Sequence, residues 1–209
     1  MLILAGLGNP TPRHANDRHN VGFMAMDAIA RRWGLSGERT KFNSLAAETT
    51  IQTSGAPVRA LLLKPQTWMN DSGRAIGAAM QFYKSKPSDV VVFYDEIDMA
   101  PGRFRMKTGG GAAGHNGIRS IASHIGADFR RARIGVGHPG HKDAVMPYVL
   151  GSFAKSEQDW LRKLLDACAD ALPLLAVGED EKYQAEVMRL APSPKADPRA
   201  DARRNKEAD

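Results

Sequence analysis

The stretch LILAGLGNPTPRHANDRHNVGF, residues 2–23, sets the two halves of an α/β unit side by side. It opens on a short continuous apolar run closed by glycine, the pattern of a strand covered on both faces. From Val21 on, Val21, Met24, Ala25, Ala28, Ile29 and Trp33 recur at helical spacing. A polar turn joins them. Its glycines lack the G-x-G-x-x-G spacing, with Asn9 where a third glycine would stand, and no Walker lysine follows, so dinucleotide or P-loop binding is a poor fit. A tight turn and a close approach of ligand to backbone explain these glycines about equally well.

Three further apolar runs repeat the strand pattern: VRALLLK (58–64), DVVVFYDE (89–96) and RARIGVG (131–137). Helical patterns lie between and after them. Ala75, Ile76, Ala79, Met80 and Tyr83 form one, and SEQDWLRKLLDACADALPLL (156–175) another, with Ser156 and Asp159 in N-capping positions and Pro173 kinking or ending it. Strands alternating with helices imply a single-domain α/β three-layer sandwich, its mixed, mostly parallel sheet flanked by helices. That domain spans residues 1–191. The remaining 192–209 carries many charges and no sizeable apolar side chain, the composition of a disordered tail.

A chain of 209 residues buries an adequate core by itself, and 43% apolar with 25% charged residues is an ordinary globular balance. One cysteine, Cys168, on an apolar helix face, excludes a disulfide framework and points to the cytoplasm. The apolar start is too short for a signal peptide or membrane span. A formal charge of +6 makes a nucleic acid a reasonable partner.

Polar residues gather at the predicted strand ends. Asn20 is well placed to cap the first helix. His19 beside it has the side chain best matched to proton transfer near neutrality, although a lone histidine is more often structural. The other histidines show no H-E-x-x-H spacing, which argues against a zinc hydrolase. Of the acids in YDEID, Glu96 and Asp98 suit a solvated turn, while Asp95, closest to the strand end, is expected to face a site. In KTGGGAAGHNGIRSI (107–121) a glycine-rich loop leads through His115 and Asn116 into a helix, whose N-terminal N–H groups could meet an anion or oxyanion. Alternation in RFRMK puts Arg103, Arg105 and Lys107 on one side of a strand, a plausible phosphate-tracking stripe. Trp68 is core by default or a stacking platform, and Asn70 is a helix cap or a binding residue.

As a set, GLGNP, RHNVGF, KPQTWMN, YDEIDMAPG, GGGAAGHNGIRSI and RIGVGHPG resemble the bacterial-type peptidyl-tRNA hydrolase family, in order from about residue 2 to about residue 190. The resemblance implies hydrolysis of the ester between a peptide and the 3′-terminal ribose of tRNA, without cofactor or metal. It implies that His19 is the general base, Asp95 its orienting carboxylate, and Asn9 the sensor of the peptide part. Asn70 and Asn116 would contact the peptidyl ester and the terminal nucleotide, with His115 in support and Trp68 replacing the family's usual phenylalanine. His14 stands where the family has a tRNA-contacting tyrosine. Arg105, Lys107 and Arg133 are candidates for contacts to the acceptor stem or terminal phosphates. A monomer acting on the CCA end and acceptor stem of its substrate is expected. Two other readings remain: a metal-dependent hydrolase using Asp95, Glu96 and Asp98, and a basic RNA-binding protein without catalysis.

Overall fold

In the computed structural model, which describes residues 1–35 and 37–195, one seven-stranded sheet runs through the molecule in the order β2-β3-β4-β1-β5-β7-β6. The strands are β1 (Leu2–Gly6), β2 (Arg39–Lys41), β3 (Ser44–Ile51), β4 (Val58–Pro65), β5 (Val90–Glu96), β6 (Phe104–Thr108) and β7 (Arg130–Gly135). The central four, β4, β1, β5 and β7, are parallel neighbours. Both edges are antiparallel, β3 against β4 and β2 against β3 on one side, β6 against β7 on the other.

Side chains alternate across this sheet, and each face has its own core. Leu2 and Leu4 of β1, with Val91 and Phe93 of β5, pack on one face with α1 (Val21–Arg32) and α5 (Gln158–Asp170). Ile3 and Ala5, with Val90, Val92 and Tyr94, pack on the other with α2 (Ser72–Tyr83) and α3 (Asn116–Ile125). Such two-sided burial is why these strands read as unbroken apolar runs. The other α-helices among the described residues are α4 (Val145–Val149), α6 (Leu172–Ala176) and α7 (Asp180–Leu190).

Two glycines bring α1 onto the sheet. A Cβ on Gly22 would collide with Leu7 N and Phe93 O, and one on Gly6 with Gly22 O. Backbone therefore packs on backbone, and the residues just before α1 are held over the carboxyl ends of β1 and β5.

Local details differ from the sequence reading. Neither Ser156 nor Asp159 caps α5: the Glu157 carboxylate accepts the Ala154 N–H at 2.7 Å, and Asp159 pairs with Lys163 at 2.7 Å. Pro173 sits in the first turn of α6, after a break at Ala171. Glu96 is no turn residue. It is buried at the end of β5, where Arg133 donates to it, and only Asp98 lies exposed in the turn. The charged tail lies outside the described residues from 196 on, while Ser193 Oγ donates to Gly102 O at 3.3 Å. No helix among the described residues is long and apolar enough to cross a membrane.

Candidate active site

Where β1 and β5 end, three side chains from distant parts of the chain converge. Asp95, 2% exposed near the end of β5, accepts from two imidazoles. His19 Nδ1 lies 2.9 Å from both carboxylate oxygens, and His115 Nε2 lies 3.0 Å from Oδ1. The rings stand 4.7 Å apart, centroid to centroid.

The hydrogen bonds settle both tautomers. His115 is the N-cap of α3, and its Nδ1 accepts the Ile118 N–H at 3.3 Å, so its proton is on Nε2 and is donated to Asp95. His19 donates from Nδ1, which leaves Nε2 a free lone pair. A carboxylate and two histidines within 4.8 Å are also a possible cation-binding set that linear spacing did not reveal. The fit is poor. His115 would have to give up its only ring proton while its other nitrogen still accepts from Ile118.

Charge follows the same geometry. Burial alone would lower the His19 pKa, but the Asp95 charge and hydrogen bond, with a smaller contribution from Asp17, outweigh it and raise the value above 6.5. Burial would raise Asp95, yet the two histidines hold it well below the usual carboxylate range. It is ionised at neutral pH.

Asn9 and Asn20 form a second pair. Asn9 N donates to Asn20 Oδ1 at 2.9 Å, and Asn20 Nδ2 donates to Asn9 O at 3.0 Å. Asn20 occupies the N-cap position of α1 but makes no side-chain cap. Its amide is spent on clamping Asn9, a role carried by the same residue type at the same place. Asn9 Oδ1 accepts the Met69 N–H at 3.1 Å, which fixes the amide orientation and leaves Nδ2 as the group without a partner among the described residues.

A sequence model of the peptidyl-tRNA hydrolase family matches residues 3–196. The chain belongs to the peptidyl-tRNA hydrolase family. It is 69% identical over 199 residues to the peptidyl-tRNA hydrolase of Phenylobacterium zucineum, covering 95% of each chain, and 67% identical to that of Caulobacter vibrioides, covering 97% and 99%. Among solved structures it resembles the peptidyl-tRNA hydrolase of Acinetobacter baumannii, with a TM-score of 0.83 and 35% identity over 93% of this chain and 96% of that one. The protein is thus a hydrolase of peptidyl-tRNA.

The remaining expected positions of this peptidyl-tRNA hydrolase differ in their surroundings, and only Asn116 shares the cleft of that centre. Asn116 lies on the rim of the cleft that His19, Asp95, Ala112, His115 and Met146 also line, its Oδ1 accepting from Arg119. Asn70 is exposed in the turn before α2. Trp68 is 55% exposed rather than core, its ring edge-on to His14 at 6.3 Å. His14 is buried, with Nδ1 2.6 Å from Asp17. Arg105 and Lys107 project from the edge strand β6. Arg133 is different, since its Nε and Nη2 are already bound to Glu96 at 3.0 and 2.9 Å.

Proposed function

We propose that His19 is the base that activates water for attack on the peptidyl ester. What carries this reading is the pairing of His19 Nδ1 with both oxygens of the buried Asp95 at 2.9 Å, which leaves Nε2 to accept. In the first step the water oxygen bonds to the ester carbon while its proton passes to His19 Nε2. The imidazolium so formed is stabilised by Asp95, as in a hydrolytic triad in which water takes the place of the serine. In the second step the C–O bond to the ribose breaks, and His19 returns the proton to the leaving oxygen.

Asn9 Nδ2 is a rigidly held donor for the peptide or the developing oxyanion. The clamp from Asn20 and Met69 means that it need not reorganise during reaction. Asn70 and Asn116 contact the CCA end, with Trp68 as an exposed aromatic wall backed by His14. Arg105 and Lys107, and the Nη1 of Arg133, which has no partner among the described residues, take acceptor-stem phosphates. None of these steps needs a cofactor or metal.

Single-turnover hydrolysis of N-acetylaminoacyl-tRNA beside its unblocked counterpart, with chelator present, tests the reading. Only the blocked ester should be cleaved, at a rate that chelator leaves unchanged. Loss of activity in chelator would instead favour the metal-dependent alternative, and tRNA binding without any cleavage a binding protein.

A further inference from the structure

Arg131 is the largest of the fully buried side chains, 2% exposed in the parallel strand β7. Among the described residues no carboxylate pairs with it, unlike its neighbours Arg130 and Arg133, which meet Asp180 and Glu96. Its Nε is buried without a hydrogen-bond partner among the described residues. A guanidinium taken out of water with no counter-charge is unfavourable, and an apolar residue of similar size would pack there at less cost.

Each of its two terminal nitrogens holds one loop carbonyl. Nη1 donates to Gly111 O and Nη2 to Gly110 O, each at 2.6 Å, and the group lies 4.6 Å from the Phe129 ring centroid. No other side chain among the described residues hydrogen-bonds the backbone of Gly110–Gly114. That stretch contains only glycine and alanine, with positive φ at Gly110 (94°), Ala113 (44°) and Gly114 (81°). Such a loop has little of its own to hold one conformation. It ends at His115, whose N–H donates to Ala112 O at 2.8 Å.

We propose that Arg131 is a positioning residue for hydrolysis, a buried cation that sets the glycine-rich loop against the His19–Asp95–His115 centre. The peptides are trans, so each carbonyl turned toward Arg131 turns the next N–H away from it. The N–H groups of Gly111 and Ala112 therefore face the other side, where Ala112 lines the active-site cleft, and neither has a partner among the described residues. Two adjacent N–H donors on this rim suit an anionic oxygen of the substrate, either a phosphate near the 3′ end or the ester oxyanion. The inference rests on the reading of this cleft as the place of ester hydrolysis.

The test compares Arg131→Met and Arg131→Lys with wild type, using N-acetylaminoacyl-tRNA as substrate, thermal denaturation, and amide exchange at Gly111 and Ala112. Arg131→Met removes the buried charge at similar bulk and should keep or raise Tm. It should nonetheless lose on the order of 100-fold in kcat/KM, the scale for misplaced catalytic geometry. Arg131→Lys, which can reach one carbonyl but not grip both, should fall between, and the loop amides should exchange faster in both variants. A fall in kcat identifies the oxyanion as the anion held, and a rise in KM a phosphate. The pH inflection of His19 should not move. Unchanged kcat and KM in a folded Arg131→Met would overturn the proposal. If that variant does not fold, wild-type amide exchange and kinetics in Arg131→Lys would overturn it equally. His19→Ala, run alongside, reports on the base alone, so its outcome is separable from that of the Arg131 variants.

Discussion

Replacing Asp95 by asparagine should be more damaging than removing its side chain, and the reason lies in His115. The His115 proton is fixed on Nε2, because Nδ1 accepts from Ile118, so His115 must donate to residue 95. In Asp95→Asn the amide oxygen is therefore drawn to His115, and the NH2 group falls where Oδ2 now faces His19 Nδ1 at 2.9 Å. An amide N–H at that point opposes a proton on Nδ1 and, with the amide oxygen at the Oδ1 position already taken by His115, favours the tautomer that carries its proton on Nε2. The base then has no lone pair toward the water. The expected loss in single-turnover rate is on the order of 10⁴-fold, or about 5 kcal/mol, the scale of a triad aspartate replaced by its amide. Asp95→Ala leaves both tautomers of His19 open and should lose less. Adding His115→Ala to Asp95→Asn lets the amide rotate and accept from His19, and should recover roughly tenfold of the loss, an interaction of about 1.4 kcal/mol. An Asp95→Asn enzyme faster than Asp95→Ala, with no recovery in the double variant, would refute the tautomer argument.

Catalysis needs neutral His19, whose pKa is raised, so kcat/KM should fall toward acid with its inflection above about 6.5. In Asp95→Ala, where burial is no longer outweighed by the carboxylate, the inflection of the residual activity should move down. The stability contributed by the raised His19 is present below about pH 6.5 and lost as pH rises through its folded value, while that of the depressed Asp95 is present above about pH 4 and lost in acid. Together they should make the pair most stabilising between those limits, which urea titrations of wild type and Asp95→Ala would show. Asn20→Ala strips Asn9 of two hydrogen bonds in a buried place, and should cost about 1–3 kcal/mol in urea titration and roughly tenfold in kcat/KM. Gly22→Ala drives a methyl into the backbone of Leu7 and Phe93 and should lower stability by about 2 kcal/mol or more, measured by denaturation.

The parallel centre of the sheet was legible because strands buried on both faces carry unbroken apolar runs, as in Val90–Tyr94. Edge strands escape that rule. Arg39–Lys41 is wholly exposed and Ser44–Ile51 alternates small, polar and apolar residues, so neither stands out from a loop. His19 and Asp95 could be singled out by type and place, but not their pairing, which joins positions 76 residues apart. Asn20 shows the limit most clearly, since a cap and a clamp need the same side chain at the same position and differ only in a partner that arrives through folding. Arg131 in a run of arginines looks like one more solvated charge. Its burial follows from its place in a strand with neighbours on both sides, something visible only once the strand order is known.

The central claim is that His19 moves the proton. Single-turnover cleavage of N-acetylaminoacyl-tRNA by wild type and by His19→Ala, with tRNA binding measured on both, addresses it most directly. The account predicts equal binding and a rate lower by about 100-fold or more in the variant, the usual scale for a lost general base. A His19→Ala enzyme that binds and cleaves as wild type does would place the base elsewhere and contradict the account.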